Sequence, residues 1–505
     1  MLVSLAVQGA QFTTRVTSQR GERWWGVFRR DAPLMPFSTP FEINTARWIE
    51  GGGSPSALLI SSNGRYIWSG APVEIKFDGS DFIIGSYDRP IEVVNGGRNL
   101  REAYLVACHR NFPPTGQTPS MEMVTMPMYD LSMEFDVLIS QQAIVAYADR
   151  LLAEGFPAGI LLLPDGWNSV LGRHDFDNRL FPRPKEMVDL LHSKGFKVML
   201  TLTPYVVASG RTFFENIRLG NLLSNRDGTP VLLQSRQGFV TAYDLRNKEH
   251  TNIMRDMATT LQQEFGIDGF RIDSREVFSG LNGNESDIFL RNLISAFADI
   301  PMCEFLPGSG IPMAPQIYCL TNSVTSSTTI AKSLNDIIGV GLSAFPYLRL
   351  VSEADPATDL SDNQHLMLRI SQLSIMMPSA TIPFTPWRIT DPALYEQLRN
   401  AVQFRFSINS YITELVNESA RTAEPVIRNM EYVFPRSGFS DCDNQYMIGN
   451  RYLCVPVSVG ESQTMVRFPR GTWEDMSGRR FRGPLVTTIN ASDGRMLVFE
   501  STAAR

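Results

Sequence analysis

Asp273 is the residue best placed to do chemistry, because it ends a short apolar run and polar residues follow it at once. The run from 266 to 272 is too short for a helix and contains β-branched and aromatic residues, which predicts a buried strand. A carboxylate at the carboxyl end of a parallel strand lies at the mouth of an α/β barrel, where barrel enzymes have their active sites. A structural alternative stays open, in which Asp273 caps the next helix or pairs with Arg275.

Alternating helical and strand patterns surround this run and predict the barrel that would position it. Helical spacing and apolar runs follow one another in the order 141–154, 160–163, 184–194, 197–202 and 250–264. Repeated strand–helix units with right-handed crossovers build a parallel sheet. The stretch 129–422 is long enough for a (β/α)8 TIM barrel, and helical spacing at 394–417 predicts its closing segment.

Short apolar runs separated by Gly, Asn and Asp turns flank the barrel on both sides and predict two β-sandwiches. The N-terminal β-sandwich is expected to be all-β and to cover residues 1–128, with the proline-rich connector 112–119 near its end. A small C-terminal β-sandwich is expected over 423–505. The first nine residues are expected to form a strand rather than a signal peptide, because no basic region precedes their short apolar run.

Composition and charge exclude several classes of function. The chain has 505 residues, of which 43% are hydrophobic and 19% are charged, as in ordinary globular proteins. A net charge of −6 without a basic run predicts neither a nucleic-acid partner nor a membrane partner, and no apolar stretch approaches the ~18 residues of a membrane span. Five scattered cysteines without a C-x-x-C pair predict reduced, buried thiols. Together with the missing signal peptide, they suggest a cytoplasmic location.

Several stretches resemble glycoside hydrolase family 31. The run 181–200 (FPRPKEMVDLLHSKGFKVML) is similar to the family's helix–strand unit, and 424–457 is similar to its C-terminal sandwich. Residues 64–68, 112–119 and 386–388 resemble the branch that contains bacterial α-galactosidases and their animal relatives. The resemblance implies a retaining exo-α-glycosidase with no metal or organic cofactor, which acts on a glycoside or other small molecule in the barrel mouth. It places Asp273 at the nucleophile position.

Retaining hydrolysis needs a second carboxyl group roughly 5–5.5 Å from the nucleophile, which protonates the leaving oxygen and then activates water. The resemblance puts this group in a loop about two dozen residues before a Gly-Tyr-Pro-Phe motif, which is 344–347 here, and counting back reaches Asn322. An amide has no titratable proton, so Asn322 could only position water or a hydroxyl group. Glu276, Glu304 and Glu353 are among the possible substitutes, each expected to be solvated or structural, and Glu304, near a later strand end, is the best of them.

Other pocket positions depart from the family pattern as well. Pro164-Asp165 replaces paired carboxylates, and residues 235–238 (SRQG) replace Trp-Trp-Asn-Gly. The candidate substrate-binding residues are Asp165, Trp167, Arg236, Arg275 and Glu276. Three interpretations stay open: an atypical glycosidase, a repurposed enzyme that acts on a non-standard substrate, and a catalytically inactive glycosidase-like binding protein.

Overall fold

The structure is a computed structural model, and it describes residues 11–27, 33–45, 57–135, 139–173, 175–235, 238–281, 283–306, 311–324, 330–354 and 363–502. The strand expected within the first nine residues lies outside the described residues. The predicted architecture of a (β/α)8 barrel between two β-rich parts is confirmed.

The N-terminal part contains two four-stranded antiparallel sheets, with the strand orders β1-β7-β6-β3 and β2-β4-β5-β8. Its elements are β1 (Phe12–Thr17), β2 (Trp24–Gly26), β3 (Phe41–Asn44), β4 (Leu59–Ser61), β5 (Arg65–Trp68), β6 (Val73–Phe77), β7 (Asp81–Ser86), β8 (Glu92–Asn95), α1 (Leu100–Asn111) and α2 (Met121–Thr125). The expectation that this part is all-β is wrong, because α1 and α2 are helices. Asn99 caps α1 by accepting a hydrogen bond from the Glu102 backbone N–H.

The central part alternates strands and helices. Its elements are β9 (Met128–Asp130), α3 (Gln141–Ala153), β10 (Ile160–Leu163), α4 (Pro184–Ser193), β11 (Lys197–Leu202), β12 (Tyr205–Val207), α5 (Gly210–Leu219), β13 (Leu233–Ser235), β14 (Gly238–Ala242), α6 (Thr251–Phe265), β15 (Gly269–Asp273), α7 (Gly283–Ala296), β16 (Met302–Leu306), β17 (Ile317–Val324), α8 (Ile330–Leu342), β18 (Leu348–Ala354), α9 (Gln364–Ile375), β19 (Thr381–Ile382), α10 (Pro392–Ser407) and α11 (Asn409–Thr422).

Eight of these strands form a nearly closed parallel barrel in the order β18-β17-β16-β15-β11-β10-β9-β19. The Ser379 N–H donates to the Leu348 carbonyl oxygen at 3.1 Å and so links the two ends of the sheet. Asp273 ends β15, the fourth barrel strand. The small sheet β12-β14-β13 is inserted between β11 and α6, and it follows the carboxyl end of β11 on the side of the mouth.

The C-terminal part is one antiparallel sheet in the order β20-β21-β22-β25-β23-β24. Its elements are β20 (Ile427–Asn429), α12 (Met430–Val433), β21 (Tyr446–Ile448), β22 (Tyr452–Val455), β23 (Gln463–Asp475), β24 (Arg480–Asn490) and β25 (Leu497–Ser501). All five cysteines are buried and unpaired, and the cytoplasmic location drawn from them stays a prediction. Within the described ranges, no helix is both long and apolar enough to cross a membrane.

Candidate functional site

Two glycines and a carboxylate fix the strand that carries Asp273. Helix α6 ends at Gly266, whose φ of 77° is in the left-handed region that glycine adopts without strain. A Cβ at Gly269 would lie 2.0 Å from the carbonyl oxygen of Met302, so only glycine lets β15 pair this closely with β16. Between them, the Asp268 carboxylate accepts the Val198 N–H at 2.8 Å. The start of β15 is therefore tied to β11.

A buried network of charges crosses the barrel interior one layer below Asp273. Arg271 donates from Nη1 to Asp130 Oδ2 at 2.5 Å and from Nε to Glu304 Oε1 at 2.7 Å. Arg349 Nε lies 2.9 Å from Glu304 Oε2. Burial alone would lower the pKa of Arg271, but the charges of Asp130 and Glu304 raise it. The network therefore joins β9, β15, β16 and β18 through groups that are all nearly inaccessible.

Glu304 does not lie where the sequence suggested. Its side chain is fully buried, and one carboxylate oxygen pairs with Arg271 while the other pairs with Arg349. A proton donor must reach a substrate oxygen, and a carboxylate enclosed by two guanidinium groups below the mouth does not. This placement gives Glu304 a structural role in the barrel core.

Side chains along a strand alternate between its two faces, so the network also identifies which barrel residues point inward. Arg271 points inward, and Asp273, two residues further along β15, therefore does so too. Arg349 points inward, so Val351 and Glu353 on β18 share its face. The inward-facing carboxylates Asp273 and Glu353 stand at the carboxyl ends of the fourth and seventh barrel strands.

Arg275 bridges these two carboxylates across the mouth. Its Nε and Nη2 atoms donate to Asp273 Oδ1 and Oδ2 at 2.9 and 2.6 Å, and its Nη1 donates to Glu353 Oε1 at 2.5 Å. The charge of Asp273, which is the largest influence, raises the pKa of Arg275, and Glu353 and Glu276 raise it further. The three residues form a clamp, Asp273–Arg275–Glu353, that occupies the space above the network.

Glu276 lies next to this clamp on the short 3₁₀ helix that follows β15. Its backbone N–H donates to the Tyr205 hydroxyl oxygen at 2.9 Å. Burial, and secondly the charge of Asp273, raise the pKa of Glu276 above its usual range. Burial and the same carboxylates also raise the pKa of Tyr205. Glu276 therefore holds a proton more readily than an ordinary glutamate does.

Asn322 lies in a strand rather than in the loop expected for it. It pairs with Ser352 across β17 and β18, whereas Cys319 pairs with inward-facing Arg349. Because Asn322 is three residues from Cys319, it stands on the opposite face, towards the surrounding helices. The side chain is only 9% exposed. This placement points its amide away from Asp273.

The remaining candidates are spread over different environments. Asp165 is partly exposed in the turn after β10, on the side of the mouth. Trp167 is fully buried, and its indole N–H donates to the Thr201 carbonyl oxygen at 2.8 Å. Such a ring offers no open face to a sugar in this structure. Arg236 lies outside the described residues. The structure therefore brings together Asp273, Arg275 and Glu276.

The sequence offered Glu353 only as one of several substitute acids, each expected to be solvated or structural, whereas its carboxylate shares a guanidinium with that of Asp273. The signal that could have found it is the alternation along β18, once Arg349 is known to point inward. Within the described part of the chain, no group of three or more His, Cys, Asp or Glu residues is arranged to hold a metal ion. The arrangement of these described residues offers an inward carboxylate, two neighbouring carboxyl groups and one cation.

The fold and the site define a (β/α)8 barrel protein with a carboxylate at the end of its fourth strand, set between two β-rich parts. The model of the glycosyl hydrolases family 31 TIM-barrel domain matches residues 125–295, and the model of the family 31 C-terminal domain matches 423–500. The chain belongs to glycoside hydrolase family 31.

The relatives that match in sequence are distant. The myogenesis-regulating glycosidase of Mus musculus is 19% identical over 78% of this chain and 58% of its own length. The α-xylosidase XylQ of Lactiplantibacillus pentosus is 23% identical over 86% of this chain and 62% of its own length. The chain thus spans about three fifths of these two relatives.

A solved structure of the Flavobacterium johnsoniae GH31 dextranase complexed with glucose superposes with a TM-score of 0.83 at 15% identity. The match covers 98% of this chain and 68% of the dextranase. A GH31 α-xylosidase from a soil metagenome, complexed with xylose, gives a TM-score of 0.81 at 16% identity, with 97% and 79% covered. At these identities the likeness establishes the fold alone.

Proposed function

We propose that the chain is an atypical glycosidase in which Asp273 is the nucleophile that attacks a glycoside bound in the barrel mouth. The observation that supports it most strongly is the inward position of Asp273 at the end of the fourth barrel strand. A carboxylate there can form a covalent bond to an anomeric carbon and so divide the displacement into two steps. The enzyme is atypical because Asn322 stands where the family resemblance places the acid/base carboxyl.

The substrate is proposed to be non-standard. In this chain Arg275 occupies both oxygens of Asp273, so a ligand must displace a charged group before it reaches the nucleophile. Asp165 and Glu276 are proposed to accept hydrogen bonds from ligand hydroxyl groups. The alternative of a repurposed enzyme that acts on a small molecule other than a sugar uses the same mouth, with the Asp273 carboxylate in proton transfer, elimination or hydration and no covalent intermediate.

Aryl release from 4-nitrophenyl α-glucoside, α-galactoside and α-xyloside tests this function. We expect slow turnover by the natural protein and its loss in Asp273→Ala, because the nucleophile is removed. Asp189→Ala is the matched control, since Asp189 lies on the exposed face of α4 and pairs only with Lys185 among the contacts described for it. Undetectable release by a natural protein whose circular dichroism shows an intact fold would contradict the proposal.

A catalytically inactive binding protein is the second candidate, and the bidentate Arg275–Asp273 pair favours it. A nucleophile with both oxygens engaged by a guanidinium is not poised to attack. Calorimetric titration with the same three glycosides separates the two functions. Binding that survives Asp273→Ala without aryl release supports the binding protein, whereas release that Asp273→Ala abolishes supports the enzyme.

A further inference from the structure

Glu353 lies across the barrel mouth from Asp273, whereas Asn322 points away from Asp273. Glu353 lies on β18, the seventh strand, and shares the inward face of Arg349. Its side chain is 30% exposed, and that of Asp273 is 14% exposed. Both carboxylates therefore border the same accessible space, from walls that are three strands apart.

The shared guanidinium sets an upper limit on their separation. Arg275 Nη2 lies 2.6 Å from Asp273 Oδ2, and Nη1 lies 2.5 Å from Glu353 Oε1. Because both nitrogens belong to one rigid planar fork, the two carboxylate oxygens are at most about 7.5 Å apart. The carboxyl pairs of retaining glycosidases are separated by roughly 5–5.5 Å and those of inverting glycosidases by roughly 6.5–9.5 Å, and the limit of about 7.5 Å admits the retaining separation. The Asp273–Glu353 pair therefore fits a two-carboxylate mechanism.

We propose that Glu353 is the acid/base residue of this barrel, an inference that rests on the glycosidase function proposed above. In the first step Asp273 Oδ bonds to the anomeric carbon while the glycosidic C–O bond breaks, and the Glu353 proton passes to the leaving oxygen. In the second step a water oxygen bonds to the same carbon and the bond to Asp273 breaks. Glu353 takes the proton that this water loses, which restores both groups.

Arg275 holds the pair apart until a ligand enters. Its guanidinium pairs with both carboxylates in the structure, and its side chain, which is 31% exposed, borders open space. A neutral sugar that displaces the guanidinium leaves two facing carboxyl groups without a cation between them. Displacement of Arg275 thus frees both carboxyl groups to face the glycosidic bond.

Glu276 is the rival for this role. It lies on the same strand–loop junction as Asp273, and its Oε2 atom is buried. Glu353 instead reaches the mouth from the opposite wall. A sugar placed between nucleophile and acid fits between Asp273 and Glu353, whereas Glu276 stands on the nucleophile's own side.

The dependence of rate on the leaving group tests the assignment. For Glu353→Gln we expect kcat/KM on methyl α-glycosides to fall at least 100-fold, because this leaving group needs a proton. On 2,4-dinitrophenyl α-glycosides, whose leaving group needs none, the first step is expected to change less than 10-fold. Glu186→Gln, on the exposed face of α4, is the matched control. Glu276→Gln is measured in the same way. If that variant shows the leaving-group effect and Glu353→Gln does not, the proposal is overturned.

Azide rescue gives a second readout with a stereochemical answer. In Glu353→Ala, azide attacks the glycosyl-enzyme and is expected to yield the α-glycosyl azide, whereas in Asp273→Ala direct attack yields the β-glycosyl azide. Turnover by the natural protein with no loss in Glu353→Gln overturns this inference alone. Absence of turnover by the natural protein contradicts the glycosidase function and the role of Glu353 with it.

Discussion

Arg275 is the side chain that links the acidic residues of the barrel mouth. It binds Asp273 with two nitrogens and Glu353 with a third, and those charges raise its pKa, so it stays positive at every working pH. A change in pH therefore acts on the mouth through its acids. Of these, Glu276 has the raised pKa.

Glu276→Gln is expected to stabilise the fold at neutral pH and to leave it unchanged near pH 4. The pKa of Glu276 is raised above its ordinary 4.5, so the folded chain binds this proton more tightly than the unfolded chain does. The free energy of unfolding then falls as the pH rises from about 4.5 to the raised folded pKa, and it stays lower above that value. Glutamine does not titrate, so the free energy of unfolding of the variant does not fall in this way as the pH rises.

Urea denaturation at pH 4.0, 5.5 and 7.5 measures the effect, with Glu186→Gln as a control that lies on the exposed face of α4. The difference between Glu276→Gln and the natural protein is expected to grow with pH. A difference that is constant from pH 4.0 to 7.5 would show that Glu276 does not titrate differently in the folded state.

At the scale of elements, the strands that carry the site were predictable because each is a continuous apolar run. Parallel strands are buried on both faces, so 160–163, 197–202 and the run ending at Asp273 stand out in the sequence. The helix α1 was missed because turn-rich strands precede it. Its cap was visible, since Asn99 and Glu102 have the spacing of a capping box.

The faces of those strands could not be predicted. Counting from a motif reached Asn322, but the inward or outward direction depends on strand register, and one residue reverses it. Glu353 lies near Arg275 only because the barrel closes and brings β18 opposite β15. The two residues are 78 positions apart, and no local sequence pattern indicates a contact over that separation.

Asn99→Ala is expected to destabilise the protein by about 1 kcal/mol, because the N-cap side chain satisfies an otherwise unpaired helical N–H. Chemical denaturation measures the change. Asn417→Ala is the control, since Asn417 lies on the exposed face of α11 and alanine is the better helix former there. Equal destabilisation by both variants would contradict the capping role of Asn99.

At the scale of the whole molecule, arginine side chains tie the three parts together. Arg369 on α9 donates to the carbonyl oxygens of Gly494, Arg495 and Ala491 in the C-terminal part, and burial lowers the pKa of Arg369 to about 10. Arg101 on α1 pairs with Glu424. Each arginine donates hydrogen bonds to carbonyl or carboxylate oxygens that water would otherwise bind. One apolar cluster runs from the N-terminal part through the barrel into the C-terminal part, which also has a cluster of its own.

The network below the mouth makes the barrel itself dependent on charge balance. Asp130, Arg271, Glu304 and Arg349 carry two negative and two positive charges in a core that water does not reach, and burial lowers the pKa of Arg349. Glu304→Gln leaves a net positive charge there and is expected to cost about 3–5 kcal/mol. Arg349→Met leaves a net negative charge and is expected to cost a similar amount.

The double variant Glu304→Gln/Arg349→Met restores the balance, because Asp130 and Arg271 then form a closed pair. We expect it to be less destabilised than the sum of the two single variants by about 1–3 kcal/mol, the coupling typical of residues in one network. Urea denaturation of all four proteins at pH 7 gives this coupling energy. Additive effects would mean that each charge is compensated independently. The layer beneath Asp273 would then not act as one unit, and it would not hold β9, β15, β16 and β18 in register.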